Sequence, residues 1–152
     1  MKKVLLAISI ILLSLALCGC EKTPEHGNGK VKLPDKYYAT GGFIESNKED
    51  INKLLNNKES FILFAYNNYC TLPFPCDKIF EEYMTNNKVR FLSIPFSDFK
   101  ETSLYETIKY APTVVVINKG KIESYLDAES DADFNKYQDV TEFGNWIDEY
   151  IK

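Results

Sequence analysis

The sequence predicts a three-layer α/β domain, with a mixed central sheet and helices on both of its faces. Short continuous apolar runs at Phe61–Tyr66 and at residues 114–117 have the length and the aromatic and β-branched content of strands buried on both sides. The stretches between such runs carry apolar residues at helical spacing instead. After residue 112 the alternation stops and two strands follow one another across a tight turn, which adds antiparallel pairing to a sheet begun by crossovers.

In chain order, residues 38–44 read as a short first strand, weakened by Gly41 and Gly42. Ser46, Asn47, Lys48 and Glu49 have the form of a capping box, and Ile51, Leu54 and Leu55 give one apolar helical stripe behind it. Phe61–Tyr66 is the next strand. Ile79, Phe80 and Tyr83 again keep helical spacing, residues 89–96 read as a strand, and Ser103 with Glu106 opens a short helix over 103–109. The run Val114, Val115, Val116 and Ile117, within a strand over 112–118, is the strongest strand signal in the chain. Asn118, Lys119 and Gly120 form a turn, and residues 121–126 return as a hairpin partner. The last element is a helix in which Phe143, Trp146, Ile147, Tyr150 and Ile151 share one face, with Trp146 as a core anchor.

The first residues are of another kind. Lys2 and Lys3 precede an apolar stretch, residues 4–17, interrupted only by Ser9 and Ser14. That stretch falls short of the roughly 20 residues a transmembrane helix needs; it has the pattern of a secretory signal peptide. Leu17, Cys18, Gly19 and Cys20 resemble the bacterial lipobox. The resemblance implies a signal peptide over 1–19, cleavage after Gly19, and lipid (palmitate included) on Cys20. Residues 20–36 then form a lipid-anchored flexible tether and 37–152 the domain, at the extracytoplasmic face of the bacterial cell membrane. The alternatives are an uncleaved anchor or a plain secreted protein.

Without Lys2 and Lys3 the chain has 16 basic against 22 acidic residues, a net charge of −6. An acidic domain is a poor partner for nucleic acid. The single histidine, His26, lies in the tether among Pro, Gly, Asn and Lys and reads as solvated. There is no internal repeat, and the expectation is a monomer without a cofactor.

Residues 61–83, FILFAYNNYCTLPFPCDKIFEEY, resemble the strand, active-site turn and helix of thioredoxin-like proteins. Tyr110-Ala111-Pro112-Thr113 followed by three valines resembles the segment that carries their cis-proline, and Lys119-Gly120-Lys121 their hairpin turn. The likeness runs from about residue 37 to 152, and Gram-positive thioredoxin-like lipoproteins and bacteriocin transport accessory proteins are similar in order and size. It implies Cys70 as the attacking cysteine, Cys76 as the resolving one, and Ala111, Pro112 and Thr113 as substrate-binding residues, with Pro112 cis and holding a client chain by backbone contact.

Two departures stand out. Five residues separate Cys70 from Cys76, where thioredoxins have two, and Phe64 occupies the position of their buried carboxylate. A turn with two prolines can still bring the two cysteines within the roughly 4.4–6.8 Å Cα separation a disulfide needs, and export favours the bond. Pro75 suits a first helical position, which puts Cys76 in the first turn, where a thiolate is stabilised; Asp77 opposes that charge and Lys78 supports it.

Two functions follow. One is a membrane-anchored thiol–disulfide oxidoreductase that acts on cysteines of an exported protein or peptide. The other is a non-catalytic binding or accessory lipoprotein, in peptide or bacteriocin export for example, whose Cys70–Cys76 bond only staples the loop. Copper carriage by the two thiolates is a weaker reading, since the domain lacks the histidine such carriers add; the expectation is no metal site. Asp127, Glu129, Asp131 and Asp133 miss the glycine and closing glutamate of a calcium loop. Residues 127–138 read instead as a solvated insertion that exposes Phe134 and Tyr137.

Overall fold

The computed structural model describes residues 29–67 and 75–152. The signal peptide, Cys20 and Cys70 lie outside these residues. Among the described residues no helix is long and apolar enough to cross a membrane.

Five strands form one sheet: β1 (Gly42–Glu45), β2 (Phe61–Tyr66), β3 (Arg90–Pro95), β4 (Thr113–Asn118) and β5 (Lys121–Tyr125), in the order β1-β3-β2-β4-β5. β3 pairs in parallel with β1 and β2, while β4 runs antiparallel to both β2 and β5. The helices are α1 (Lys48–Asn56), α2 (Cys76–Asn87), the single turn α3 (Phe96–Phe99) and α4 (Val140–Ile147). The crossover from β1 to β2 and the one from β2 to β3 travel in opposite directions across the sheet, so crossovers of one hand place α1 and α2 on opposite faces. Phe64 and Phe91 meet α2 and α4 through Phe80, Tyr83 and Phe143. Ile44 and Leu92, one residue away from that face on their strands, share a surface hollow with Leu54 of α1. The mixed sheet with helices on both faces is the predicted fold class.

Packing concentrates on aromatic rings. The fully buried Phe143 has its ring centroid 4.6 Å from that of Phe80 and 5.2 Å from that of Tyr83. Trp146 lies 8% exposed beside Phe143, in the core position its spacing predicts. Each such ring removes a large apolar area from water, which makes α4 the clamp that holds α2 on the sheet.

Several boundaries differ from the sequence expectation. The tether ends early: Val31 and Leu33 are buried, Val31 bridges Ile151, and its N–H donates to the Tyr150 carbonyl at 2.6 Å. The packed domain therefore starts at Val31 and not at residue 37. The first strand begins only at Gly42, because Gly41 before it takes a φ of +86° that breaks an extended run. Asn47, not Ser46, caps α1, accepting from the Asp50 N–H at 2.9 Å; the Ser46 N–H is still committed to the Ser93 carbonyl in the sheet.

The helix expected over 103–109 is a 3-10 turn at Ser103–Glu106, and Phe96 opens α3 after Pro95 rather than closing a strand. The last helix stops at Ile147, which leaves Ile151 to pair with Val31. Within the insertion, Phe134–Tyr137 forms a 3-10 turn; Phe134 is exposed as expected but Tyr137 is buried at 4% exposure. Tyr137 is drawn inward by its tertiary partners: its ring packs against Phe80 and its hydroxyl reaches the Pro112 carbonyl.

Candidate active site

The three parallel strands end on one side of the sheet, where open α/β folds gather their ligands. β2 delivers Tyr66 and Asn67 there, β1 delivers Glu45, and α2 begins there with Cys76. Pro75 is the residue that caps α2, with extended backbone angles, so Cys76 rather than Pro75 is the first helical residue. The positive end of the helix dipole favours negative charge at Cys76, and the Asp77 carboxylate in the same turn opposes it. Cys76 is 3% exposed.

Pro112 approaches from the opposite direction. The Ala111–Pro112 peptide bond is cis, as the resemblance implies. Side chains hold the carbonyls on both sides of it. Asn67 Nδ2 donates to the Ala111 oxygen at 3.0 Å, and the Tyr137 hydroxyl donates to the Pro112 oxygen at 2.9 Å. Thr113 is fully buried; its hydroxyl donates to the Leu126 carbonyl at 2.7 Å and ties β4 to the end of the hairpin.

Cys76 and Pro112 line one cleft of about 610 Å³, within the usual size range for ligand sites. Its floor comes from the sheet face toward α2. In register, Glu45 of β1 stands beside Ser93 of β3, and Ser93 beside Phe64 of β2. All three point to the same face and all three line the cleft. Phe64 is 4% exposed between Phe43, at 5.3 Å, and Phe80, at 5.2 Å, so the position has become part of an aromatic wall. Asp77 and Glu81 of α2 complete the rim. Lys78 pairs with Glu81 at 2.7 Å on the outer side of the helix.

Of the residues singled out by sequence, the structure brings Cys76 and Pro112 together. Ala111 supplies its carbonyl to Asn67, Thr113 is turned into the core, and Cys70 lies outside the described residues. Sequence reasoning missed Phe43, Glu45, Asn67, Ser93 and Tyr137. Phe43 and Glu45 alternate along one strand, which is a legible sign of a shared face; that the face belongs to the cleft depends on β3 lying between β1 and β2. Among the described residues, no three His, Cys, Asp or Glu side chains are grouped so that they could hold a metal ion.

Solved structures with a similar fold include thioredoxins. A Schistosoma mansoni thioredoxin is 18% identical with a TM-score of 0.51, and the match covers 74% of this chain and 99% of that one. A Malassezia sympodialis thioredoxin is 14% identical with a TM-score of 0.50, covering 75% of this chain and 93% of its own. Likeness at these identities defines the fold, which is thioredoxin-like. No protein-family model and no curated protein matches the sequence.

Proposed function

We propose that the protein is a thiol–disulfide oxidoreductase, anchored by lipid on Cys20 at the extracytoplasmic face of the cell membrane, that exchanges disulfides with exported proteins through Cys70 and Cys76. The observation that carries this reading is the convergence of Cys76, in the first turn of α2, and the cis Pro112 on one cleft at the ends of the parallel strands. A client disulfide is attacked by one protein thiolate, one client sulfur leaves with a proton, and the second protein sulfur displaces the other. One S–S bond is made as one is broken, and two electrons move between the pairs; the same steps run in reverse when the protein is the oxidant. The Cys76 sulfur, buried against the helix start, suits the resolving part, and the cleft beside it leaves room for a client chain.

The test is the reduction potential of the Cys70–Cys76 pair, set by equilibration in thiol buffers. A value between about −120 and −270 mV matches exchange catalysts. A bond that stays closed below about −300 mV belongs to a structural staple and ends the oxidoreductase reading. Trapping of a mixed disulfide with an exported protein by a Cys76→Ser variant gives the corresponding evidence in the cell.

One observation favours the second reading, a non-catalytic binding module. The buried Phe64 puts an aromatic ring where a buried carboxylate would assist proton transfer, and that ring closes the floor of the cleft as an apolar surface. In that case replacement of both cysteines lowers stability and leaves partner binding intact.

A further inference from the structure

We propose that the cleft beside Cys76 selects cationic client segments, namely a stretch of peptide with a lysine or arginine adjacent to its cysteine. The inference deepens the proposed function, since it takes this cleft as the client-binding face. It stands on three features of the described residues.

The first is charge. Glu45, Asp77 and Glu81 line the cleft, and no Lys, Arg or His of the described residues does. Glu81 is engaged by Lys78, whereas Glu45 and Asp77 form no ion pair among the described residues. The rim thus keeps two carboxylates outside any close ion pair among the described residues, Glu45 from the sheet and Asp77 from α2, with only Asp77 feeling the nearby charge of Lys78.

The second is the floor. Phe43, Phe64 and Tyr66 form a continuous aromatic ledge, with ring centroids 5.3 Å and 5.9 Å apart along it. Such a ledge accepts the long apolar stem of a Lys or Arg and attracts its charged head through the ring faces. Glu45 follows Phe43 by two residues on β1, so ledge and carboxylate share one side of the strand. An acidic client side chain meets the same rings and the same rim unfavourably on both counts.

The third is size. A volume of about 610 Å³ admits a few side chains of an extended segment and excludes a folded domain. The recognised unit is therefore short, and its charge next to the cysteine is what the cleft reads.

The experiment uses two short synthetic peptides that differ only in the residues flanking one cysteine, two lysines in one and two glutamates in the other. Serine analogues of both peptides are titrated against the protein by fluorescence anisotropy. In parallel, the cysteine peptides are supplied as mixed disulfides with mercaptoethanol. The two thiols of the reduced protein then close to a disulfide and release peptide thiol and mercaptoethanol. The expected result is binding and exchange about five- to tenfold in favour of the lysine peptide, an advantage that shrinks with added salt and in Glu45→Gln, and shrinks further in Glu45→Lys. Equal or inverted preference in both assays overturns the proposal, even with rapid exchange, and leaves the oxidoreductase reading in place. Selective binding of the lysine analogue without any exchange supports the cleft's selectivity and removes the oxidoreductase reading instead. Loss of selectivity counts only where the variant's urea midpoint matches that of the parent.

Discussion

The Tyr137 hydroxyl donates to the Pro112 carbonyl at 2.9 Å, and so joins the insertion after β5 to the loop that opens β4. Asn67, at the end of β2, holds the neighbouring Ala111 carbonyl. Two elements 70 positions apart in the chain therefore fix two successive carbonyls, that of the cis Ala111–Pro112 unit and the one after it, beside Cys76. An acidic segment without strand or helix periodicity turns out to brace the wall of the cleft.

Tyr137→Phe keeps the ring against Phe80, 6.1 Å between centroids, and removes only the hydroxyl. The expected loss is about 1 kcal/mol in urea unfolding, the usual net worth of one hydrogen bond. Tyr137→Ala, which also empties the ring's place, costs about 3 kcal/mol or more. Equal costs for the two variants would mean that the hydroxyl alone matters.

Tyr83 of α2 donates to Asp148 Oδ1 at 2.5 Å and lies almost fully buried against Phe143 of α4. Burial first, then the Asp148 carboxylate as acceptor and as charge, pushes its hydroxyl well above the ordinary tyrosine range. The folded state then holds a proton that the unfolded chain gives up at about pH 10. Stability contributed by this group is complete below that pH and falls as pH rises beyond it, by up to about 1.4 kcal/mol per pH unit. Tyr37 is shifted in the same direction, chiefly by burial, and adds to the slope. Urea midpoints from pH 8 to 11 should decline from about pH 10, and Tyr83→Phe should make the decline shallower.

Gly120 has φ +75° at the β4–β5 turn, and its N–H donates to the Glu59 carbonyl at 2.9 Å. A Cβ there would stand 2.4 Å from the Leu55 carbonyl oxygen, a backbone atom that cannot swing away. Gly120→Ala therefore combines left-handed strain with a shift of the turn away from the end of α1. The expected cost is about 2–4 kcal/mol, read as a lowered thermal midpoint.

The N-terminal boundary is tested by truncation. A chain that begins at residue 30 keeps Val31 and Leu33, whereas one that begins at residue 35 loses both buried side chains and the pairing with Ile151. The shorter chain should lose roughly 3–5 kcal/mol by the area it leaves uncovered. Equal stability of the two would return these residues to the tether.

The strands and their order along the chain were legible because their signals are local. Residues 114–117 are Val-Val-Val-Ile, and a run of that kind is buried wherever it lies. Phe143, Trp146 and Ile147 likewise announced a helix by spacing alone. Boundaries were less legible, since they depend on partners. Ser46 satisfies the capping pattern as well as Asn47 does, and only the Ser93 carbonyl of a strand more than 40 residues later decides between them.

By itself, then, the sequence determined the fold class, the element order, the candidate cysteine pair and the acidic balance. Periodicity, turn residues and composition are properties of short windows, and a short window contains all of their physical cause. Tertiary structure alone decided which side chains surround Cys76. Glu45, Ser93 and Phe64 stand in one row because β3 inserts between β1 and β2, and a single-residue shift in register would turn that row to the other face. Tyr137 was placed in the same way: its burial depends on the Pro112 carbonyl it reaches, 25 residues away, and on the ring of Phe80 beneath it.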